Sequence, residues 1–192
     1  GDVNGDGYSD VIVGAHSYTN GETREGLAYL YLGSGAGLST SASWTAESDQ
    51  AVGFFGWSAA SAGDVNGDGY SDVIVGAYRY DYNQSGDGRV YVYLGSASGL
   101  ATNATWTAYG DQAGAGLGVS VAPAGDVNGD GYSDVIVGTG SAGRANTYFG
   151  SAAGLAASAA WTTVNGQGSN SASVATAGDV NRDGYADVIV GV

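Results

Sequence analysis

A nine-residue acidic segment, D-x-N-x-D-G-Y-x-D, occurs four times in the chain and concentrates oxygen ligands in a short loop. A glycine at its sixth position permits a sharp turn, so that alternate side chains can point toward one centre. The backbone carbonyl of the seventh residue can add another oxygen. In the first copy these potential ligands are Asp2, Asn4, Asp6, Tyr8 and Asp10.

This donor set predicts calcium. Calcium takes six to eight oxygen ligands in flexible geometry, which one loop and one or two waters can supply. Magnesium demands stricter octahedral geometry, and the loops offer no nitrogen or sulfur ligand for zinc or copper. We therefore expect four calcium ions, one per loop. The other three ligand sets are Asp64, Asn66, Asp68, Tyr70 and Asp72; Asp126, Asn128, Asp130, Tyr132 and Asp134; and Asp179, Asn181, Asp183, Tyr185 and Asp187.

The charge balance agrees with this interpretation. Twelve of the 19 acidic residues lie in the four loops, and three carboxylates at one point repel unless a cation neutralises them. Four calcium ions would change the formal net charge from −14 to −6. The alternative is a set of Asx-type turns that use Asp, Asn and Gly for backbone reasons alone. Turn chemistry gives no reason for a third carboxylate at position nine.

Two other calcium motifs begin in the same way. EF-hands and dockerins both open with D-x-N-x-D-G, but they need an acidic residue at position twelve and a following helix. Here position twelve is a valine inside an apolar, strand-like run. The four valines are Val13, Val75, Val137 and Val190.

The acidic loop belongs to a long internal repeat. GDVNGDGYSDVIVG begins at residues 1, 63 and 125 and returns at 178 as GDVNRDGYADVIVG. Each repeat predicts four short antiparallel strands, exemplified by 10–15, 27–33, 43–46 and 56–63. This is the pattern of β-propeller blades, with the small-residue strand at the crowded central channel. We expect an all-β fold with about three blades' worth of strands in an incomplete ring.

The repeat also divides the chain. We interpret residues 1–192 as a single propeller segment, in which 55–117 and 117–170 are whole blades while 1–55 and 171–192 are partial blades. Both partial blades would leave a strand edge unpaired, which favours aggregation. We therefore expect the ring to be completed by the rest of a longer chain or by another copy of this one.

Composition excludes several classes of partner. The chain has five basic residues, all arginine, against 19 acidic ones, which disfavours nucleic acid and anionic membrane surfaces. No apolar run is long enough to insert into a membrane. Cysteine and methionine are absent, and loops of this kind suit millimolar calcium, so an extracellular or cell-surface location is expected.

Together these motifs resemble the FG-GAP repeats of the integrin α-subunit β-propeller and its bacterial relatives. Phe55-Gly56 matches the FG element and Ala62-Gly63-Asp64 stands in the place of GAP, while Leu117-Gly118 and Asn170-Ser171 depart from FG. The resemblance implies seven blades, with calcium in loops such as 64–72 on the lower face and partners on the upper face.

The leading functional hypothesis is a non-catalytic adhesion or protein-interaction scaffold that calcium stabilises. Recognition surfaces favour tyrosine and arginine, so the loop residues predicted to bind a protein or glycan partner are Tyr18, Tyr78, Arg79, Tyr80 and Tyr82. Catalysis is not expected, because His16 is the sole histidine and lysine is absent. The alternatives are a lectin-like propeller, or the propeller part of a larger secreted polysaccharide-degrading enzyme.

Overall fold

A computed structural model of the chain describes residues 1–141, 143–164 and 171–191. These residues form thirteen β-strands, and among them there is no helix long and apolar enough to cross a lipid bilayer. The strands are β1 Val11–Ala15, β2 Leu27–Tyr31, β3 Trp44–Glu47, β4 Ser58–Gly63, β5 Asp72–Ala77, β6 Arg89–Tyr93, β7 Trp106–Tyr109, β8 Ser120–Gly125, β9 Asp134–Gly138, β10 Arg144–Tyr148, β11 Trp161–Val164, β12 Ser173–Gly178 and β13 Asp187–Gly191.

All strands pair with their sequence neighbours in antiparallel sheets. β4–β7 and β8–β11 are complete four-stranded sheets, β1–β3 form a three-stranded sheet, and β12–β13 form a two-stranded one. This confirms the all-β class and the blades of four antiparallel strands in an incomplete ring. The blade boundaries at residues 55 and 117 stay a prediction, and the boundary at 170 lies outside the described residues.

Small residues let the first strands of successive sheets approach closely. β4 lies beside β8, and β8 lies beside β12. The Ser58 hydroxyl donates a hydrogen bond to the carbonyl of Gly118 at 2.7 Å, and Ser120 donates in the same way to Ala172 at 2.7 Å. A Cβ on Gly76 would collide with the Gly118 carbonyl. The approach between neighbouring sheets therefore requires glycine at this point of β5.

At two successive junctions, a tryptophan on the last strand of one sheet packs onto the next sheet. Trp44 meets Tyr93 edge to face at 4.8 Å, and its indole N–H donates to the carbonyl of Ala101 at 3.0 Å. Trp106 repeats both contacts one blade later, with the ring of Tyr148 and the carbonyl of Ala156. These recurring tryptophans hold adjacent blades together.

The core lies between the sheets. Ile74, Val90 and Val92 of one blade pack against Val135 and Val137 of the next. Phe55 of the FG element is fully buried, and Leu117, which replaces that phenylalanine one repeat later, is equally buried. The departure at Leu117 therefore keeps the packing, whereas Asn170 lies outside the described residues.

Candidate functional site: the acidic loops and the opposite loops

The four acidic loops lie on one edge of the sheets, and we call this edge the acidic face. Three of them connect the first strand of a sheet to its second, as residues 64–71 join β4 to β5, and the first precedes β1. The opposite face carries the connections from the second strand to the third and from each sheet to the next, such as residues 78–88 and 110–119. The two faces are separated by the length of the strands.

The carboxylate at position one organises each acidic loop. Asp64 Oδ1 accepts hydrogen bonds from the backbone N–H groups of Gly67 at 2.7 Å and Asp68 at 3.1 Å. Its Oδ2 accepts another from Gly69 at 2.8 Å. Oδ1 of Asp68 accepts the N–H of Tyr70 at 3.0 Å. The loop is therefore closed by its own side chains, as in an Asx turn.

The carboxylate at position nine has a structural role that the sequence did not reveal. Asp72 is 0 % exposed; its Oδ2 accepts the N–H of Val65 and its Oδ1 accepts that of Gly95, both at 2.8 Å. It thus ties the loop to the third strand of the same blade. Asp10 and Asp134 make the equivalent pairs of bonds. The turn interpretation therefore does account for this third carboxylate, contrary to the sequence argument.

Burial and neighbouring charge perturb these carboxylates. Burial is the main cause that raises the pKa of Asp72 to about 6; the Gly95 and Val65 N–H groups oppose this rise, and the nearby carboxylates of Asp68 and Asp64 add to it. Burial likewise raises the pKa of Asp134. The only ion pair among the described residues, Arg144 with Asp111, lies on the opposite face. Negative charge in the loops is therefore left without a basic partner.

The loops fit calcium in donor chemistry. Every donor is an oxygen, and a carboxylate oxygen that accepts one hydrogen bond keeps a second lone pair. In the arrangement described, however, no three acidic, histidine or cysteine side chains are grouped closely enough to hold an ion. The amide nitrogen of Asn66 donates to Asp68 Oδ2 at 2.8 Å, so these two side chains would have to turn to bind a cation. The ligand assignments and the count of four ions stay predictions.

The opposite face carries an aromatic cluster. Trp57 lies 4.5 Å from Tyr78 and 4.8 Å from His16 between ring centroids, and Phe54 lies within 6.3 Å of all three rings. The guanidinium of Arg79 lies 5.6 Å from the centre of the Tyr78 ring. Trp57 remains 41 % exposed. Large aromatic surface beside a free cation is typical of binding surfaces.

A cleft of about 420 Å³ adjoins this cluster. Tyr78, Arg79 and Asp81 form one side, and backbone of the next two blades, including Gly116 and Gly140, forms the other. The cleft is therefore large enough for a side chain or a small polar ligand.

The structure divides the predicted partner-binding residues among four environments. Tyr78 and Arg79 belong to the aromatic cluster. Tyr80 is half-buried, and its hydroxyl accepts a hydrogen bond from Arg89, so it serves packing rather than a free surface. Tyr82 stacks on Tyr109 at 3.9 Å and is 52 % exposed, whereas Tyr18 lines a separate cleft on the first sheet.

Sequence reasoning missed the aromatic cluster as a unit. Trp57, at the start of the small-residue strand, takes the place that Val119 occupies in the next repeat. His16 and Tyr78 come from two other connections, so only the fold brings them to Trp57, whereas Phe54 precedes Trp57 in the same connection. The signal in the sequence that could have indicated the cluster was Trp57 itself, because the next repeat has Val119 at that position.

Two family models match the chain along its repeats. The FG-GAP repeat matches residues 1–31 and 55–93, and an FG-GAP-like repeat matches residues 126–190. The chain belongs to the FG-GAP repeat family. The matched ranges of this FG-GAP chain include Phe55, Gly56 and all four acidic loops, as the sequence resemblance indicated.

Integrin α subunits are among the relatives of this FG-GAP chain. Integrin alpha-4 of Xenopus laevis is 34% identical over 143 residues, which cover 71% of this chain and 13% of that protein. Integrin alpha-IIb of Mus musculus is 35% identical over 155 residues, covering 77% and 15%. Integrin alpha-7 of Rattus norvegicus is 36% identical over 145 residues, covering 72% and 12%. The FG-GAP chain thus spans a small part of these relatives.

Solved structures with a similar fold include two lyases. The rhamnogalacturonan lyase PL11 of Bacillus licheniformis superposes with a TM-score of 0.61 at 17% identity, covering 99% of the FG-GAP chain and 38% of the lyase. The exotype rhamnogalacturonan lyase YesX gives a TM-score of 0.58 at 17% identity, covering 99% and 37%. At 17% identity, this similarity shows a shared fold only.

Proposed function

We propose that this FG-GAP segment is a non-catalytic, extracellular interaction scaffold that calcium stabilises through the acidic face and that binds its partner through the opposite face. The observation that carries the proposal is the separation of the two faces. One face repeats a single oxygen-rich loop four times, and the other presents one aromatic cluster beside a cleft. The relationship to integrin α subunits supports an adhesion role and a cell-surface setting.

The first part of the proposal concerns calcium. Once Asn66 and Asp68 turn, Asp64, Asn66, Asp68 and the carbonyl of Tyr70 would hold the ion, with Asp72 as the buried anchor of the loop. Calcium supplies positive charge that offsets the mutual repulsion of these carboxylates. Isothermal titration of metal-free protein should give four ions per chain. A stoichiometry of zero would refute this part.

The second part concerns the partner. Immobilised protein should be tested against a panel of purified extracellular-matrix proteins and against a glycan array that includes pectic oligosaccharides. We expect a matrix protein to bind, and we expect Trp57→Ala and Arg79→Ala to weaken that binding at least tenfold. Leu38→Ala, an exposed apolar change on the acidic face, is the matched control. Binding that survives both opposite-face changes would contradict the assignment.

Sugar binding is the second candidate function. The parallel Tyr82 and Tyr109 rings form a flat, exposed surface, which suits stacking on a pyranose ring. The lyase-like fold is compatible with a place beside a polysaccharide-degrading enzyme. Glycan binding that Tyr82→Ala abolishes and Trp57→Ala leaves intact would favour this candidate over protein adhesion.

Catalysis within the described residues has little chemical support. The His16 ring contacts Trp57, and its Nδ1 lies 2.9 Å from the hydroxyl of the adjacent Ser17 on an exposed loop. No carboxylate among the described residues hydrogen-bonds His16 to orient it, as a nucleophile–base pair requires. We therefore assign His16 to the aromatic cluster.

A further inference from the structure

Neighbouring acidic loops contact one another through the tyrosine at position seven. The ring of Tyr70 lies on Gly5 of the preceding loop, so closely that a Cβ on Gly5 would be 2.7 Å from Cε1 of that ring. The same contact joins Tyr132 to Gly67 at 2.7 Å and Tyr185 to Gly129 at 2.6 Å. The four loops thus form a continuous row along the acidic face.

A backbone hydrogen bond accompanies each of these contacts. The N–H at position eight of one loop donates to the carbonyl at position one of the loop before it. The three bonds are Ser71 to Asp2 at 2.8 Å, Ser133 to Asp64 at 2.9 Å and Ala186 to Asp126 at 2.8 Å. The accepting aspartate organises its own loop, so the bond connects the frameworks of two proposed ion sites.

We propose that the acidic loops bind calcium cooperatively, each occupied loop raising the affinity of the loops it touches. This inference rests on the proposed calcium binding. An ion held by the carbonyl of Tyr132 fixes that residue, and with it the ring on Gly67 and the hydrogen bond from Ser133 to Asp64. The neighbouring loop is then already ordered when its own ion arrives. The coupling is reciprocal and acts between nearest neighbours in the row.

Electrostatics acts in the opposite direction. A bound ion reduces the negative potential that attracts the next ion, which disfavours neighbouring occupancy. This effect is screened over about 8 Å at physiological ionic strength, whereas contact between loops is not. Cooperativity should therefore be measured at about 0.15 M salt, and it should weaken when the salt is lowered.

The first test changes the contact but not the ligand. Tyr132→Ala removes the ring and keeps the backbone carbonyl, and Tyr132→Phe keeps the ring. In calcium titrations we expect a Hill coefficient above one for the unchanged protein and for Tyr132→Phe. Tyr132→Ala divides the row into two pairs of loops, so it should lower the Hill coefficient toward the value for a single coupled pair and weaken calcium binding roughly fivefold. Tyr29→Ala, on the outer surface of β2, is the control and should change neither value.

A second test leaves the tyrosines in place and compares two loops. Asp6→Asn disables the first loop and leaves three loops in contact. Asp130→Asn disables the third and leaves one pair and one isolated loop. Both variants keep three sites, but titration of Asp130→Asn should be the less steep. Equal steepness, or four independent sites in the unchanged protein, would overturn cooperativity and leave calcium binding standing. No calcium uptake would overturn the proposed function itself.

Discussion

The acidic face and the opposite face are built on the same strands but follow different rules. On the acidic face, four loops share one set of oxygen-bearing residues and nearly the same hydrogen bonds. On the opposite face, the connection after the second strand changes in sequence from repeat to repeat and is shorter in the third, and the aromatic cluster around Trp57 draws on three connections. Repetition is typical of a framework, and divergence is typical of recognition.

Charge separates the two faces in the same sense. The acidic face holds twelve carboxylates and one arginine, Arg182, while the other four arginines lie at the opposite end of the strands. A cation that binds the acidic face therefore stabilises the fold by offsetting carboxylate repulsion. A partner can bind the opposite face without displacing that cation. The comparison predicts that changes to the two faces have separable effects.

Calcium removal should have the largest effect. Each ion that binds only the folded chain stabilises it by about 2.7 kcal/mol at a hundredfold excess over its dissociation constant. Chelation should therefore lower the melting temperature by about 10 °C or more. Thermal unfolding followed by circular dichroism measures this, and calcium but not equimolar magnesium should restore the value. An unchanged melting curve would make the acidic face a set of ordinary turns.

Loss of a blade-packing tryptophan should come next. Trp106→Ala removes the contact with Tyr148 and the hydrogen bond to Ala156, and it should lower the free energy of unfolding by about 3 kcal/mol. Trp57→Ala, on the opposite face, should change it by less than about 1 kcal/mol because the ring is half exposed. Urea unfolding distinguishes them, and equal losses would show that the aromatic cluster is structural.

The carboxylate at position nine offers a narrower comparison within the acidic face. Asp72→Ala leaves the N–H groups of Val65 and Gly95 without their acceptor and should lower the free energy of unfolding by about 2 kcal/mol. Asp187→Ala removes the acceptor of Val180, on the exposed fourth loop, and should have less than half that effect. Urea unfolding in chelator isolates this structural term from ion binding.

Position four of the fourth loop should give the smallest effect. Arg182 occupies the left-handed backbone conformation, with φ of 62°, where the other loops have glycine. Arg182→Gly should relieve this and raise the free energy of unfolding by about 0.5 kcal/mol. The reverse change, Gly129→Arg, should be clearly destabilising because the Tyr185 ring lies on that glycine. A gain from Gly129→Arg would contradict the contact between loops.

The repeat made the strands predictable from sequence. Apolar runs such as 72–77 return in successive repeats in the same order relative to the glycines and tryptophans, so a strand assignment made in one repeat could be checked against the others. The proposed ligands were predictable as donor types for the same reason. The bonds of Asp72 to Val65 and Gly95 were not, since they depend on how the loop meets the third strand.

The opposite face was less predictable because it does not repeat. Tyr78 and Tyr80 alternate in sequence, but the structure places one in the exposed cluster and the other against the core. Trp57 gained its neighbours from connections that are 41 and 21 residues away, at His16 and Tyr78. Contacts of this kind follow from the assembled sheets rather than from local pattern.

The tryptophan contacts have a consequence for how such genes can change. Because Trp44 and Trp106 meet equivalent partners, a tyrosine ring and a backbone carbonyl, these two successive junctions share one packing arrangement. A duplicated or deleted unit of one repeat therefore creates no new kind of junction. Unequal recombination can alter the number of units without compensating mutations, while the loops at the opposite end diversify independently.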